Sequence, residues 1–573
     1  MRTRAGAILT GLALVAAMAG FAPTPAGGQV TPTEQQWGGY GSSTVIGLNT
    51  LGIGATITAN VQAAHATGAV NSRGLTTSNV DELGQNISPP RPAKNAYGRG
   101  AGVEVGLLTG SIQNVDVNQV VLTQLAESDA PPPTGPIVKT TPIDLTPILS
   151  ATTATGEARA TFNRDTCTVG RPITHGRGYV ENLVVLNQDP NQGAVSTNLT
   201  GDNVSESRTL TYLIPNGDGT FGMVAEMRQL VAPVNLLNGL LTVRIAGPLI
   251  MRVIATGKPG GARVEYPGTP VLSISTANGT IPVVQPISLQ SLLGQNGLNI
   301  DIPGIATVTL GTPPHAVGGS PATPASLASD GTSASAAVDA VRLSLLQSLG
   351  LNVADLRVGH MQGAVSVPAG GIRCNIPVAK ASSPATIGAG EDFTISISIP
   401  SDSGLYNQLF GCDLINIEAV DVHTVTSGNV RFVLTGASNG GVINDAGDTV
   451  TFTGLGNYRR GDPPIVLTVS GRIPSNSPAG TLQDVVDVTA TLGNCEGGTA
   501  DGQDIVGSAV TGGRVTGTRV FSVEITRTGV LPSTGGDGRL LVLGGVLLLS
   551  ALAVQRKLHK PAVAEAPAKA PIE

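Results

Sequence analysis

The chain has 573 residues, of which 76 are Gly, 3% are aromatic and 13% are charged, with a formal net charge of −6. So few charges argue against a solvated coil, and no basic patch points to nucleic acid as a partner. A charge of −6 spread over this length steers no particular ligand, while Gly, Val and Thr in such numbers suit β-sheets joined by turns.

The first 26 residues, MRTRAGAILTGLALVAAMAGFAPTPA, place Arg2 and Arg4 ahead of an apolar run. This predicts a secretory signal peptide over 1–26, cut after Ala26 or, alternatively, after Ala19. The run is shorter than the roughly 20 residues a spanning helix needs. Residues 27–133 then read as a Gly/Ala-rich β region, with a weak helical pattern at Val117, Val121 and Leu125. The Pro-rich segment 131–136 reads as a stiff boundary.

From 137 to 372 short β-like runs alternate with turn signals. Asn216-Gly217-Asp218-Gly219 between two alternating runs predicts a hairpin, and 311–335 reads as a long surface loop. Val338, Val341, Leu345 and Leu349 suit a helix face, whereas Val341, Leu343 and Leu345 suit a strand. The clearest patterning falls in 373–527. Phe393, Ile395, Ile397 and Ile399 alternate with hydroxylated residues, and the period recurs at Val430-Phe432-Leu434, Val450-Phe452, Ile465-Leu467-Val469, 486–492 and Phe521-Val523-Ile525. The expected fold is mainly β: tandem antiparallel β-sandwich domains, the C-terminal one immunoglobulin-like, between a signal peptide and a C-terminal transmembrane sorting helix.

Cys167, Cys374, Cys412 and Cys495 would sit outside the membrane, where an even count predicts two disulfides with three connectivities. Cys412 with Cys495, both inside 373–527, and Cys167 with Cys374, closing the preceding region, is the favoured set; free buried thiols are the alternative.

Residues 531–573 open with Leu531-Pro532-Ser533-Thr534-Gly535, continue with an apolar stretch 540–554 and end in a tail with Arg556, Lys557 and Lys560. This resembles the tripartite sorting signal of Gram-positive surface proteins. Fifteen residues make about 23 Å of helix, short of a ~30 Å hydrocarbon core, and Arg539 and Lys557 would snorkel to the interfaces. The resemblance implies that Leu531 fills an apolar pocket of sortase and that Pro532 sets an extended, kinked approach. A cysteine thiolate then attacks the Thr534 carbonyl, Gly535 leaves as the amine, and an amine of the peptidoglycan cross-bridge resolves the intermediate. Sortase is thus a transient partner, and the membrane is contacted only before sorting. The segments NAYGRGAGVEVGLLTG and VPAGGIRCNIPV, with this terminal signal, are similar to the secreted actinobacterial choice-of-anchor proteins, whose 373–527 counterpart is a β-sandwich module.

Catalytic signatures are absent: no HExxH, GxSxG, P-loop or GxGxxG opening a helix occurs. No cofactor and no metal is expected. Asp421-Val422-His423 places two polar residues on one strand face, read as solvated, and Asp413, Glu418 and Asp421 would act together only if folding joined them. Asn216–Gly219 and 444–448 are too poor in ligands for a calcium loop and serve as turns. A single Trp37 argues against a lectin. An intramolecular Lys-to-Asn isopeptide bond, known in Gram-positive adhesin domains, would use Lys380, but the sequence nominates no partner for it. The expected role is therefore a structural or adhesive, non-enzymatic ectodomain whose target the residues do not name. The alternatives are a wall-anchored hydrolase with a site assembled by folding, and a single-pass membrane protein that sheds its ectodomain.

Overall fold

A computed structural model describes residues 34–527, except for 53–59, 78, 81–85, 106–123, 146–148, 190–191, 198–203, 237–238, 277–283, 289–297, 303–305, 313–324, 346–351, 496–505 and 507–508. The sorting signal at 531–573, residues 1–26 and the helical pattern at Val117 and Val121 lie outside the described residues. Among the described residues no helix is long and apolar enough to cross a membrane.

The chain is mainly β, in several antiparallel sheets. The start of the described chain does not stand alone. Strand Gly38–Gly52 lies between Asn60–Asn71 and Asn352–Ser366, pairing Thr44 with His65 on one side and with His360 on the other. Strand Ala96–Val105 extends the same nine-stranded sheet, and Ser333–Leu345 flanks the far side. The expected boundary at 131–136 is thus corrected: residues on both sides of it build one sheet. Long-range strand pairing overrides a local Pro signal, and strand Thr134–Leu145 begins inside that segment. Of the expected loop 311–335, Ala325–Leu327 and Ser333–Leu345 are strands, the latter resolving the helix-or-strand ambiguity at Val338, Val341 and Leu345.

A second, 14-stranded sheet covers this one, with Leu149–Ala160, Thr174–Glu181, Val204–Pro215 and Thr220–Leu230 at its centre. The hairpin at Asn216–Gly219 forms, with Pro215 opposite Phe221. Where the sheets meet, many side chains are missing. Gly98, Gly100 and Gly102 alternate along one strand, facing Gly156, Gly176 and Gly178 of the other sheet. A Cβ at Gly98 or Gly102 would come within 2.6 or 2.5 Å of an opposing carbonyl oxygen, and one at Gly100 would run into the Arg177 and Glu157 carbonyls. The sequence Gly98-Arg99-Gly100 and its counterpart Gly176-Arg177-Gly178 therefore encode backbone-to-backbone packing, with the arginines turned to the other face. There Arg99 meets Glu104 at 2.9 Å and Arg177 meets Glu206 at 3.0 Å.

Residues 379–526 make two facing sheets of a different kind. One runs Ala379–Ser383, Asp392–Ile399, Ile465–Arg472, Val433–Ala437; the other runs Thr386–Gly388, Arg514–Thr526, Gly480–Gly493, Asp413–Ser427, Thr449–Phe452, Val442–Ile443. Their inner faces carry Phe393, Ile395, Ile397, Leu467, Val469, Val486 and Val488, all buried. Asp402 caps the helix Ser403–Leu409 by accepting from the Leu405 N–H at 3.0 Å, and Tyr406 stacks on Phe410 with ring centroids 4.5 Å apart. Disulfides join Cys167 to Cys374 and Cys412 to Cys495. Near them the two parts of the chain touch directly, Val169 N–H donating to Leu409 O at 3.0 Å and Gly411 N–H to Val169 O at 2.8 Å.

Candidate functional site in the C-terminal sheets

Strand Asp413–Ser427 alternates outward and inward residues, and its inward series reads Ile417, Ala419, Asp421, His423. Strand Gly480–Gly493 reads Leu482, Asp484, Val486, Val488 inward. Register sets His423 opposite Asp484 and Asp421 opposite Val486, so the two carboxyls are diagonal neighbours on one inner face. Lys380, on the first strand of the facing sheet and opposite Ile397, crosses the interior to them. Its Nζ contacts both Asp421 Oδ1 and Asp484 Oδ1, with no side-chain exposure at Lys380 or Asp421 and 1% at Asp484.

His423 completes the cluster, its Nε2 3.3 Å from Asp421 Oδ2 and its Nδ1 3.5 Å from Asp484 Oδ1; the ring of Phe432 lies 6.0 Å from its own. Both its nitrogens and both Oδ2 atoms lack a hydrogen-bond partner of good geometry. The solvated reading of Asp421-Val422-His423 is corrected here. Both side chains point into the core, because the outward positions of this strand are taken by Val420, Val422 and Thr424.

The electrostatics divide the two acids. Burial, then the negative charge of Asp421, push the Asp484 carboxyl up to about 7. Asp421 is held below the usual carboxylate range against its own burial, by the close imidazole of His423 and by the charge of Lys380. At neutral pH Asp421 is thus the carboxylate of the pair, while Asp484 is poised between acid and carboxylate. Asp421, His423 and Asp484 place ligand-type atoms within 4.8 Å of one another. A metal does not fit this set, because the Lys380 ammonium stands between the carboxyls where a cation would bind.

Other polar residues singled out above do not join. Asp413 accepts from the Arg460 N–H at 2.9 Å and from Asn494 Nδ2 at 3.0 Å, and Glu418 faces solvent. Asn444 Oδ1 accepts from the N–H groups of Asp448 and Thr449, both at 3.1 Å, which is a turn. A second buried charged group lies in the larger sheets: Asp339 accepts from His360 Nδ1 at 2.7 Å and has Arg357 Nε 3.7 Å away. These three sit on adjacent strands of one sheet, Asp339 directly opposite His360. Leu531 to Gly535 lie outside the described residues. Sequence reasoning missed Asp484 altogether; the available signal was an acid interrupting the apolar series Leu482, Val486, Val488.

No protein-family model matches the chain, and no curated protein matches it by sequence. Among solved structures it is similar to the N-terminal domain of the Streptococcus gordonii adhesin Sgo0707, at 10% identity and TM-score 0.17, over 67% of this chain and 91% of that one. A Corynebacterium diphtheriae protein described as membrane anchored aligns at 8% identity and TM-score 0.15, over 87% and 98%. AvmM, which catalyses macrocyclization in alchivemycin A biosynthesis, aligns at 9% identity and TM-score 0.16, over 28% and 92%. Superpositions this loose carry no argument about function.

Proposed function

We propose that this is an exported Gram-positive surface protein that sortase attaches to peptidoglycan through Thr534, with a structural or adhesive rather than enzymatic ectodomain. The observation that carries the reading is the C-terminal series Leu531-Pro532-Ser533-Thr534-Gly535, apolar stretch 540–554 and basic tail, combined with an export signal at 1–26. Two disulfides support an oxidising, extracellular setting. The C-terminal module is read as an immunoglobulin-like sandwich and the ectodomain as β-domains in tandem, a construction suited to a stalk.

A hydrolase would need its paired carboxyls in a cleft that substrate can enter. Asp421 and Asp484, the acids that share Lys380 Nζ, are sealed between two sheets and offer no such cleft. The reading is tested by fractionating cells that express the wild type or a Leu531→Ala, Thr534→Ala double variant. The expected result is wild-type protein in the muralytic wall digest and the variant in the membrane fraction or the medium. Wall-bound protein at equal level in both would refute sorting through this pentapeptide.

A further inference from the structure

A lysine amine in contact with two carboxyls, enclosed between sheets, is a set of reactants as well as an ion pair. We propose that Lys380 and Asp484 join covalently, forming an intramolecular amide between Lys380 Nζ and Asp484 Cγ, with Asp421 as the proton-transfer group. Three features of the geometry support it. The nucleophile and acyl group are held in contact by two facing sheets, so the usual entropic barrier to bringing them together is already met by the fold. A second carboxyl touches the same nitrogen and is ready to take its proton. The surroundings are apolar, built from Ile397, Val486 and the ring of Phe432, so that expelled water has no reason to return.

The step balances without an outside reagent. Asp421 carboxylate removes one proton from the Lys380 ammonium, leaving a neutral amine. The Nζ lone pair adds to Cγ of the Asp484 carboxylic acid, and its C=O electrons move to oxygen. The Asp421 acid then protonates the departing hydroxyl, the C–O bond breaks and water leaves. The nitrogen gives up a second proton to Asp421. One ammonium, one carboxylate and one acid become one amide, one water and one neutral Asp421, with zero net charge on both sides. The product removes a buried ion pair, which is costly to keep dry, and puts a neutral amide in its place. His423, beside both acids, is a positioning residue that holds Asp421 toward the amine.

The placement also suits a mechanical role. The bond would link the first strand of one sheet to Gly480–Gly493 of the other, bridging positions separated by 104 residues. Tension entering the module at its first strand would bypass the chain between Lys380 and Asp484. This does not depend on how the C-terminus is processed, so it stands or falls separately from the sorting proposal.

The test is the intact mass of the purified, folded full-length protein after disulfide reduction, followed by trypsin digestion and fragmentation. The expected result is a mass one water below that of the sequence, no cleavage after Lys380, and a branched peptide joining Lys380 to Asp484. The branch should be absent from Lys380→Met and Asp484→Ala, and Asp421→Ala should retain the unlinked form for at least tenfold longer after refolding. Should those variants fail to fold, the wild-type branched peptide decides the matter alone. A wild-type mass without water loss, linear peptides cleaved after Lys380, or a water loss traced to a cyclised aspartate within a linear peptide would each overturn the proposal. A branch to Asp421 would overturn the assignment of the acyl partner.

Discussion

The two pairs of sheets use the same antiparallel alternation yet bring their central facing strands together differently. At one patch of the larger pair, Gly98, Gly100 and Gly102 meet Gly156, Gly176 and Gly178, so backbone lies on backbone there, while side chains such as Ile46, Met223 and Met227 fill the interior elsewhere. In the C-terminal pair, Phe393, Ile395, Leu467 and Val488 hold the sheets apart, and that gap is wide enough for a lysine to span. A contact of bare backbone has no room for reactive groups. One of side chains can enclose them and exclude water, and there the Lys380 cluster sits. The buried charges of the larger body follow the same logic: Asp339, Arg357 and His360 lie within one sheet, set by register and held as an ion pair.

The comparison predicts that the C-terminal module fails when groups are removed and the larger body fails when atoms are added. The largest effect is expected from Lys380→Met, which removes the link to Asp484 and leaves two buried carboxyls facing each other, at a cost of about 3–5 kcal/mol read from denaturant unfolding. Replacing Cys412 and Cys495 together by Ser is expected to lower stability by about 2–4 kcal/mol in the same assay. In the larger body, Gly100→Ala adds one methyl against the Arg177 and Glu157 carbonyls and should cost about 1–3 kcal/mol. Ala at Gly436, which has nothing within 4 Å, should be tolerated and serves as the control. A Gly100→Ala protein as stable as the wild type would break the backbone-packing account.

The smallest effect is a pH dependence. Burial, then the charges of Arg208, Arg177 and Arg159, lower His175 to about 3. An unfolded histidine titrates near 6.5, so between those values the unfolded chain binds a proton that the native one refuses. Stability should therefore decline as pH falls below about 6.5, by at most about 1.4 kcal/mol per pH unit from this group. The His175 share of the slope, taken as the difference between wild type and His175→Gln in thermal unfolding across that range, should carry this sign.

Much of the strand content was legible because the apolar residues keep a period of two: 392–399, 465–472 and 514–526 were readable from Ile, Val and Phe alone. Of strand Asp413–Ser427 only Asp421-Val422-His423 was read as strand, and its inward positions explain why. Asp421 and His423 stand where the pattern demands apolar residues, while Asp484 shortens the readable part of the next strand to 486–492. The residues that form the cluster weaken the apolar signal of the strands that carry them, which is what local reasoning meets where a site departs from ordinary packing. Lys380 was visible as a candidate for cross-linking, but its partners lie 41 and 104 positions away, and only tertiary packing joins them. The merger of the N-terminal strands with 333–366 was hidden for a similar reason, since pairing Gly38 with Ser366 leaves no local trace. The glycine alternation in GRGAG and HGRG was in plain view; the close sheet contact it encodes was not.

The most direct test of the central claim, covalent attachment to the wall through Thr534, is the mass of the C-terminal peptide of protein released from purified walls by a muralytic enzyme. The account predicts a peptide that ends at Thr534 and carries a cross-bridge fragment. A C-terminus running on to Glu573, recovered with the membrane, would contradict it.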